Sequence, residues 1–423
     1  MDSLPAELSS FISQLRPLMR AEVFDSFTFL LLGILVGDAK HGTVRASVFA
    51  PADYQPQRLS DLFCRHKLSH QAFMARLASL ALATLYPSGL PARLFWLADA
   101  TQTEKPYAQR VASIHWFHRT KQIAGRAKQL KGHCYLFAAH LYRYGQQQLW
   151  ASVLVGALLY VKGRSPSELT GELARQLRLP EQSRHVWVVD RGLLSRPLLR
   201  SLGAQGQFAL GRIKRNQVVY FSPPRQPRRP GRRKIYGARC RVDQLRKRYS
   251  ERLQHQKMKL RVAGGEREVE VSSAEVLLRG VSAQSAEAVR VIIVSVPGSQ
   301  LKPWYLLTTD LQLSIEEAVQ AYGGRQQIEV NFDEVKELGL GNYQGRSGQG
   351  VRRWPLFLCL AQMILKLIAT QALAVSLPKL NWSWYSKEQT VGQIRRRLIE
   401  SCRPRISRVL SKITNLREMK KAA

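Results

Sequence analysis

Four polar side chains recur at helical spacing in residues 321–338, whose sequence is AYGGRQQIEVNFDEVKEL. On a helix that turns 100° per residue, Tyr322, Arg325, Glu329 and Lys336 fall within a stripe of about 60°. A surface ion pair between Arg325 and Glu329 is enough to explain such a stripe. The chemical alternative is a carboxylate kept ionised by the cations beside it, which is a poor general base and a good ligand for a hard divalent cation. In that interpretation the arginine and the lysine hold phosphates.

Two aspartates are candidates to complete a metal site with Glu329. Asp99 closes the apolar run RLFWLAD and Asp190 closes HVWVVD, and both runs predict buried strands. Each aspartate would then emerge at the carboxyl edge of a sheet, where α/β folds bind their ligands, although each could instead be a turn residue or a helix N-cap. Three carboxylates and two bound Mg²⁺ have a small positive net charge together, which suits an anionic phosphodiester substrate.

The charge of the whole chain agrees with a polyanionic partner. Lys and Arg number 65 against 30 Asp and Glu, a net charge of +35, which favours nucleic acid and leaves an anionic membrane surface as the rival. Residues 214–259 carry sixteen Lys or Arg and two acids, interleaved with aromatic residues. Within them SPPRQPRRPGRRK (222–234) predicts irregular backbone. The predicted DNA contacts of this stretch are Arg228, Arg229, Arg232 and Arg233.

Cysteines and apolar segments argue against other classes of protein. Five scattered cysteines without a CxxC pair predict neither a disulfide framework nor a zinc ribbon, and we expect a reducing cytoplasm. The first residues lack the pattern of a signal peptide. The apolar runs 29–37 and 149–161 are too short to span a bilayer, and 355–375 is predicted to be a buried core helix. We therefore expect no membrane partner. HWFH (115–118) has metal-like spacing but no further ligands to suggest zinc.

The spacing Tyr-x2-Arg-x3-Glu-x6-Lys resembles the signature of bacterial insertion-sequence transposases of the DDE class. These belong to the cut-and-paste branch, with an RNase H-like core and a β-strand insertion before the last acid. The framing IEVNF (328–332), the two strand-end aspartates and the gap of about 140 residues before Glu329 also match. The resemblance covers roughly residues 90–340. Gly323–Gly324, and Gln326 where an aromatic residue is frequent, depart from the pattern and bear on the path of the helix.

The resemblance implies roles for individual residues. Asp99, Asp190 and Glu329 would be the catalytic residues and would bind two Mg²⁺, for which Mn²⁺ can substitute. The other three members of the stripe would contact phosphates near the transposon end. Trp304 would stack on a base flipped out of the duplex, unless it is simply a buried strand-end tryptophan.

The implied activity is that of a DNA transposase. It would bind the terminal inverted repeats of its own element, cleave the ends, and join the 3′-OH ends to target DNA, passing through hairpin ends. Its partners would be double-stranded DNA and a second copy of the chain, in a bacterial cytoplasm at the nucleoid. A catalytically inactive DNA-binding protein derived from a transposase, and a nuclease of the same fold, stay open as alternatives.

The elements that must position these residues predict an α/β fold. We expect an RNase H-like mixed sheet with flanking helices, interrupted by a β-rich insertion. Within the first 87 residues, 59–86 is typical of a helix-turn-helix or of an ordinary helical hairpin. The predicted parts are an N-terminal helical DNA-binding domain (1–87), a catalytic core in two parts (88–204 and 304–378), a basic β-strand insertion (205–303) and a basic helical C-terminal tail (379–423).

The stripe itself is predicted to lie on a helix over 314–338, which begins with a capping box of Ser314 and Glu317. Two adjacent glycines in that helix cost roughly 1 kcal/mol each relative to alanine. We therefore expect the helix either to bend at Gly323–Gly324 or to be two helices that meet there.

Overall fold

The computed structural model describes residues 5–37, 55, 57–118, 127–224, 234–262, 265–280, 288–299, 302–379 and 390–402. They form a mixed α/β fold around one large sheet. The helices are α1 (Ala6–Ser13), α2 (Ala21–Val36), α3 (Gln57–Cys64), α4 (His70–Leu85), α5 (Pro166–Gln176), α6 (Arg196–Gly203), α7 (Leu245–Arg248), α8 (Ile315–Gly324), α9 (Gln327–Glu337) and α10 (Gly348–Ala369). Residues 391–402 are also helical.

Twelve strands occur in the part of the chain that the structure describes. They are β1 (Arg93–Glu104), β2 (His115–His118), β3 (Gln129–Tyr144), β4 (Leu149–Leu159), β5 (Arg184–Val189), β6 (Phe208–Arg212), β7 (Val218–Tyr220), β8 (Arg239–Arg241), β9 (Gln254–Val262), β10 (Gly265–Val276), β11 (Val289–Ser295) and β12 (Trp304–Thr308). The main sheet has the order β2-β3-β1-β5-β6-β12-β11-β10-β9, and β4 also pairs with β3. The strands β7 and β8 form a separate pair.

Parallel pairing is confined to the middle of the sheet. The strands β1, β5 and β6 run parallel, whereas β3 is antiparallel to β1 and β4 is antiparallel to β3. A mixed sheet of this kind, flanked by helices, is consistent with the RNase H-like fold expected from the sequence. Because these three strands run parallel, the residues that follow Ala98, Val189 and Gly211 lie at the same edge of the paired region.

Helices cover both faces of this sheet. On one face Phe332 of α9 packs against Phe137 of β3, with ring centroids 5.8 Å apart. On the other face a Cβ at Gly156 of β4 would lie 2.9 Å from Met74 of α4 and 3.4 Å from Leu173 of α5. Glycine at that position therefore lets two helices approach the strand closely.

The N-terminal helices share the hydrophobic core of the sheet rather than standing apart from it. Phe27 of α2 lies 5.2 Å from Phe357 of α10, and Arg353 of α10 donates to the carbonyl oxygen of Leu62 in α3 at 2.7 Å. In the predicted helix-turn-helix segment, Arg76 donates to the carbonyl oxygen of Gln14 at 3.0 Å. DNA recognition by this segment stays a prediction.

The long apolar segment near the C-terminal end of the core is a buried helix, as predicted. It is α10, which begins at Gly348 and in which Arg352 is the one exposed side chain between positions 350 and 369. Within the described ranges, no helix combines the length and apolarity that crossing a bilayer requires.

The basic insertion continues the main sheet. Its strands β9, β10 and β11 join through β12 to β6, and β6 pairs in parallel with β5. Of the aromatic residues in the basic run, Phe221 packs on Tyr249 at 5.0 Å and Tyr220 on Tyr236 at 4.8 Å. The predicted DNA-contacting arginines 228, 229, 232 and 233 lie outside the described residues. The domain boundaries stay predictions.

Candidate active site

Asp99 and Asp190 lie side by side at the carboxyl edge of the sheet. In the parallel pair of β1 and β5, Ala98 is opposite Val189, so each aspartate is the next residue along its strand. The strand β5 ends at Val189, as predicted. The prediction that the first strand ends at Asp99 is wrong, because β1 continues to Glu104 while paired with β3. Asp99 is therefore the residue at which β1 loses β5 as a neighbour but keeps β3.

The helix predicted over 314–338 is two helices, α8 and α9, joined by a tight turn. At the junction the N–H of Arg325 donates to Tyr322 O at 3.1 Å, and that of Ile328 to Arg325 O at 3.1 Å. These bonds span three residues instead of four, which tightens the backbone as in a 3₁₀ turn. A Cβ at Gly324 would come within 3.0 Å of Leu141, whereas one at Gly323 would meet open space. Close packing on the sheet thus explains the second glycine but not the first.

Buried ion pairs hold the start of α8 against the sheet. The carboxylate of Asp310, which is fully buried, accepts from Arg93 Nε at 3.1 Å and from Arg184 Nη2 at 2.7 Å. Arg93 and Arg184 are the first residues of β1 and β5. The carboxylate of Glu317 accepts from Arg93 at 2.7 Å, while the Ser314 side chain caps the Glu317 N–H at 3.1 Å. The helix α8 therefore begins at the amino ends of β1 and β5, and the two aspartates lie at the other end of the region where these strands pair.

A buried polar network fixes α9. Asn331 donates to Ser152 Oγ of β4 at 2.7 Å, and Gln362 of α10 donates to Asn331 Oδ1 at 3.0 Å and to Glu334 Oε2 at 2.8 Å. Lys366 forms an ion pair with the same Glu334 carboxylate. Because each buried amide has partners on two other elements, the network sets both the position and the rotation of α9. Glu329 is five residues, about 1.4 turns, before Glu334 on this helix.

Gln362 also depends on an irregularity in the sheet. The register of β3 and β4 shifts between Ala138 and Ala139, and the N–H of Leu154 donates to Gln362 Oε1 at 2.9 Å. The bulge leaves the N–H of Leu154 without a partner on the neighbouring strand, and Gln362 of α10 accepts its hydrogen bond instead.

Arg325 joins two of the three predicted carboxylates. Its Nη1 lies 3.2 Å from Asp99 Oδ2 and its Nη2 lies 3.0 Å from Glu329 Oε1. The side chain of Arg325 is 15% exposed, that of Asp99 26% and that of Glu329 61%. The structure therefore contains the i,i+4 ion pair considered from the sequence, and extends it to an aspartate on the sheet.

The charges of two of the predicted acids act on the third, Asp99. Burial raises the pKa of Asp99, and the charges of Asp190 and Glu329 raise it further, against the Ala100 N–H and the Arg325 guanidinium. Burial alone would lower the pKa of Arg325, but Tyr322, Asp99 and Asp190 outweigh it and raise that pKa. The pKa of Asp99 therefore lies above its ordinary value, so ionisation of this carboxyl group is less favourable than in a solvent-exposed aspartate.

Tyr322 and Trp304 occupy less exposed positions than a DNA contact suggests. Tyr322 is buried, hydrogen-bonds to Arg325, and burial raises its pKa. Trp304 is partly buried at the start of β12, with its ring edge-on to Tyr322 at 6.4 Å. Lys336 is exposed two turns beyond Glu329, about 10 Å along α9. Base stacking by Trp304 and phosphate contacts by the others stay predictions.

Sequence reasoning missed a row of cations beside Asp190. In the parallel pair of β5 and β6, Val189 is opposite Gly211, which makes Arg212 the neighbour of Asp190 at the same edge. Arg191, Arg212 and Lys214 line a cleft of about 540 Å³ together with Asp190. The available signal was the short apolar run FALGR, a third strand that ends in a charged residue.

The donor set suits a hard divalent cation. Carboxylate oxygens are the ligands that Mg²⁺ prefers, and here the charges of Asp190 and Glu329 act on the carboxyl group of Asp99. Within the described ranges, no three His, Cys, Asp or Glu side chains are already arranged as a metal site. Arg325 instead bridges two of the acids. The chemistry of the residues fits Mg²⁺ or Mn²⁺, although the side chains would have to adjust to bind it.

Comparison with known protein families identifies a matching family model. The family model described as the transposase DDE domain matches residues 105–364, more than half of the chain, and no curated protein matches it. The matched range includes Asp190 and all four residues of the stripe, and it begins six residues after Asp99. Since this range contains most of the sheet and the helices α8 and α9 that carry the candidate site, the chain belongs to the transposase DDE domain family and is a DDE transposase of the insertion-sequence type.

Proposed function

We propose that this transposase binds the terminal inverted repeats of its own insertion sequence, hydrolyses a phosphodiester at each end, and joins the freed 3′-OH to target DNA. The observation that carries the proposal is the position of Asp99 and Asp190 at one sheet edge, with Arg325 linking Asp99 to Glu329. Acids on two parallel strands and a helix, gathered around one arginine, suit phosphodiester chemistry better than a structural role. The reaction would take place on DNA in the cytoplasm.

Asp99, Asp190 and Glu329 would hold two Mg²⁺ or Mn²⁺. When bound, such ions activate the attacking oxygen and stabilise the leaving oxygen of a phosphodiester. Until then Arg325 balances the charge of Asp99 and Glu329, as it does here. The planar guanidinium has five N–H donors, so it can also grip a phosphate oxygen pair in a way that an ammonium group cannot.

The remaining residues of the stripe would position DNA. Tyr322 hydrogen-bonds to Arg325 and so orients the guanidinium. Lys336 is exposed on the same face of α9 and would meet a phosphate farther along the backbone. The family resemblance extends the proposal to hairpin ends, to stacking of a flipped base on Trp304, and to a homodimer in the DNA complex.

The test begins with the DNA that flanks the gene, whose inverted repeats supply the substrate. Labelled end duplexes are incubated with the purified protein and Mg²⁺, and cleavage and joining are followed on gels. Asp190→Asn and Glu329→Gln should abolish both steps and keep end binding, because each change removes a charge and keeps the shape. Asp333→Asn, an exposed acid on α9, is the matched control and should behave as wild type.

The outcomes separate the proposal from its alternatives. Binding of the ends without cleavage by wild type would identify an inactive DNA-binding protein. Cleavage without joining would identify a nuclease of the same fold. Substantial cleavage by either variant would remove that acid from the site.

A further inference from the structure

The sheet carries an extension beyond the candidate active site. After Asp99 the strand β1 continues for five residues to Glu104, about 20 Å past the point where β5 ends opposite Ala98. It stays paired with β3, whose first residues also pair with β2. We call residues 105–118 and 127–131 the edge extension. It includes HWFH, which has metal-like spacing but no role in the proposed site.

One face of the edge extension is the face on which Asp99 lies. Side chains alternate along a strand, and Asp99 is opposite Phe137 on β3, so Lys131 is on that same face. Trp116 of β2 is directly opposite Lys131 and shares the face. Phe117 points the other way and packs on Tyr160, with centroids 5.7 Å apart. The exposed ring of Trp116 and the half-buried Lys131 are therefore on the side of the catalytic helix α9.

The composition of this surface matches a polyanion. The edge extension contains four cations, Lys105, Arg110, Lys128 and Lys131, and no Asp or Glu. Arg110 and Lys128 are exposed. The ammonium group of Lys105 is already hydrogen-bonded within the protein, because its Nζ donates to two backbone carbonyl oxygens that follow α9, at 2.6 Å each. That contact fastens the extension to the end of the helix that carries Glu329.

Two aromatic rings on the edge extension are held out in solvent. Tyr107 is 93% and Trp116 66% exposed, which are the largest values among the large apolar side chains that the structure describes. The aromatic residues of the basic run 214–259 pack against each other instead. Exposure of a tryptophan ring to water is unfavourable in the free protein. Nucleic acid can cover such a ring by base stacking, while the cations beside it contact phosphates.

We propose that the Asp99-side face of the edge extension binds the target duplex during strand transfer. The proposal rests on the proposed function, because it needs a joining reaction. Target DNA has no fixed sequence, and contacts made by cations and aromatic faces tolerate any sequence. Transposon ends must instead be told apart by contacts to base edges. Trp116 would stack on or wedge between bases of a bent target, while Arg110 and Lys131 neutralise its phosphates.

The experiment measures joining of pre-cleaved ends, so no flanking DNA is present. Target plasmid is titrated at saturating Mg²⁺, and the target concentration at half-maximal joining is compared among variants. Trp116→Ala should raise it about tenfold, because stacking on one base is lost, and Trp116→Phe should restore most of the affinity. Arg110→Ala with Lys131→Ala should lower the slope of log affinity against log salt by about two. Arg175→Ala, an exposed cation on α5 at the opposite face, is the matched control.

Cleavage of uncut ends and affinity for the ends are measured in parallel and should match wild type in all these variants. Wild-type half-saturation in both Trp116→Ala and the double variant would refute the inference. An equal loss in cleavage of ends that still carry flanking DNA would assign the surface to the flank and refute the target assignment. Failure of wild type to join any ends would refute the proposed function, whereas active joining with unaffected variants would refute this inference alone.

Discussion

At the scale of single residues, Arg325 is the group on which the candidate site depends most. It is nearly buried, bonds to a carboxylate on the sheet and to one on its own helix, and hydrogen-bonds to Tyr322. An ordinary surface i,i+4 pair contributes only about 0.3–0.5 kcal/mol. The additional contact to Asp99 ties the helix turn to the sheet edge, which a surface pair does not do.

The exchange Arg325→Lys tests whether the fork of the guanidinium matters beyond its charge. We expect joining of pre-cleaved ends to slow by on the order of tenfold to a hundredfold, because charge-assisted bonds contribute about 1.5–3 kcal/mol each. Tyr322→Phe should slow it less, since one neutral hydroxyl contact contributes about 1 kcal/mol. Rates are compared in saturating Mg²⁺. Wild-type joining by Arg325→Lys together with an inactive Tyr322→Phe would reduce Arg325 to an ion-pair partner of Glu329.

At the scale of elements, the site depends on how α8 and α9 are fastened at both ends. The buried carboxylate of Asp310 links α8 to the starts of β1 and β5, and the amides of Asn331 and Gln362 link α9 to β4 and α10. None of these residues belongs to the catalytic signature. They keep Glu329 within reach of the two aspartates, so their loss should disturb catalysis through position rather than chemistry.

Removal of the Asp310 charge should destabilise the protein in a pH-dependent way. Burial opposes ionisation of Asp310, but hydrogen bonds from Arg184 and Gln312 and the charge of Arg93 outweigh it and hold its pKa below the usual value. A depressed carboxyl pKa contributes stability that is present above the unfolded value of about 4 and is lost as pH falls through the folded value.

The variant Asp310→Asn should therefore lose about 3 kcal/mol of unfolding free energy at pH 7, where two arginines are left without their buried partner. The difference from wild type should shrink as pH falls below about 4. Urea unfolding at several pH values measures both effects. Glu316→Gln, an exposed acid on α8, is the control and should change little. A pH-independent loss would mean that packing, not charge, is responsible.

At the scale of the whole molecule, the N-terminal helices and the sheet form one hydrophobic core. Tyr86, the residue that follows α4, donates to His140 Nε2 of β3 at 2.9 Å, and His140 Nδ1 donates to Phe95 O at 3.0 Å. Burial lowers the pKa of His140 to about 3. The neutral imidazole is therefore part of the contact between the helices and the sheet.

Acid should weaken this contact before it reaches the carboxylates. A histidine whose folded pKa lies below its unfolded value contributes stability above pH 6.5 that is lost progressively as pH falls. The unfolding free energy should decline between pH 6.5 and 5 with a slope that approaches about 1.4 kcal/mol per pH unit for His140. His140→Leu should be less stable at pH 7 but show a flatter slope, and exposed His118→Gln is the control. An unchanged slope in His140→Leu would contradict the assignment.

The net charge of +35 predicts steep salt dependence of DNA binding. If the basic run contacts DNA, replacement of Arg228, Arg229, Arg232 and Arg233 with Ala should lower the slope of log K against log salt by up to about four. The same slope in the variant and wild type would mean that these arginines only face solvent. The measurement uses end duplexes without Mg²⁺, so that cleavage does not interfere.

The sequence by itself determined the class of the protein and its local structure. Apolar runs predicted the strands β1 and β5 and the core helix α10, although not the far end of β1. The resemblance of the stripe to a known signature predicted a transposase of the DDE class, in agreement with the family match. These features are local, because strand and helix patterns and motif spacing depend on neighbours a few residues apart. The start of α5 is likewise local, because Ser165 and Glu168, three residues apart, form its capping box.

Only the tertiary structure decided how the distant pieces meet. The continuation of β1 past Asp99 depends on β3, which pairs with it over residues 132–141, and no pattern within β1 signals that partner. The requirement for Gly324 comes from Leu141 and Trp150, almost two hundred residues away in sequence. Arg325 bridges Asp99 and Glu329 because α8 and α9 meet in a tight turn. The contacts of Asp310 and of Asn331 with Gln362 hold these two helices on the sheet. Long-range packing of this kind is set by all the contacting surfaces together, which is why local patterns predict the site's members but not its geometry.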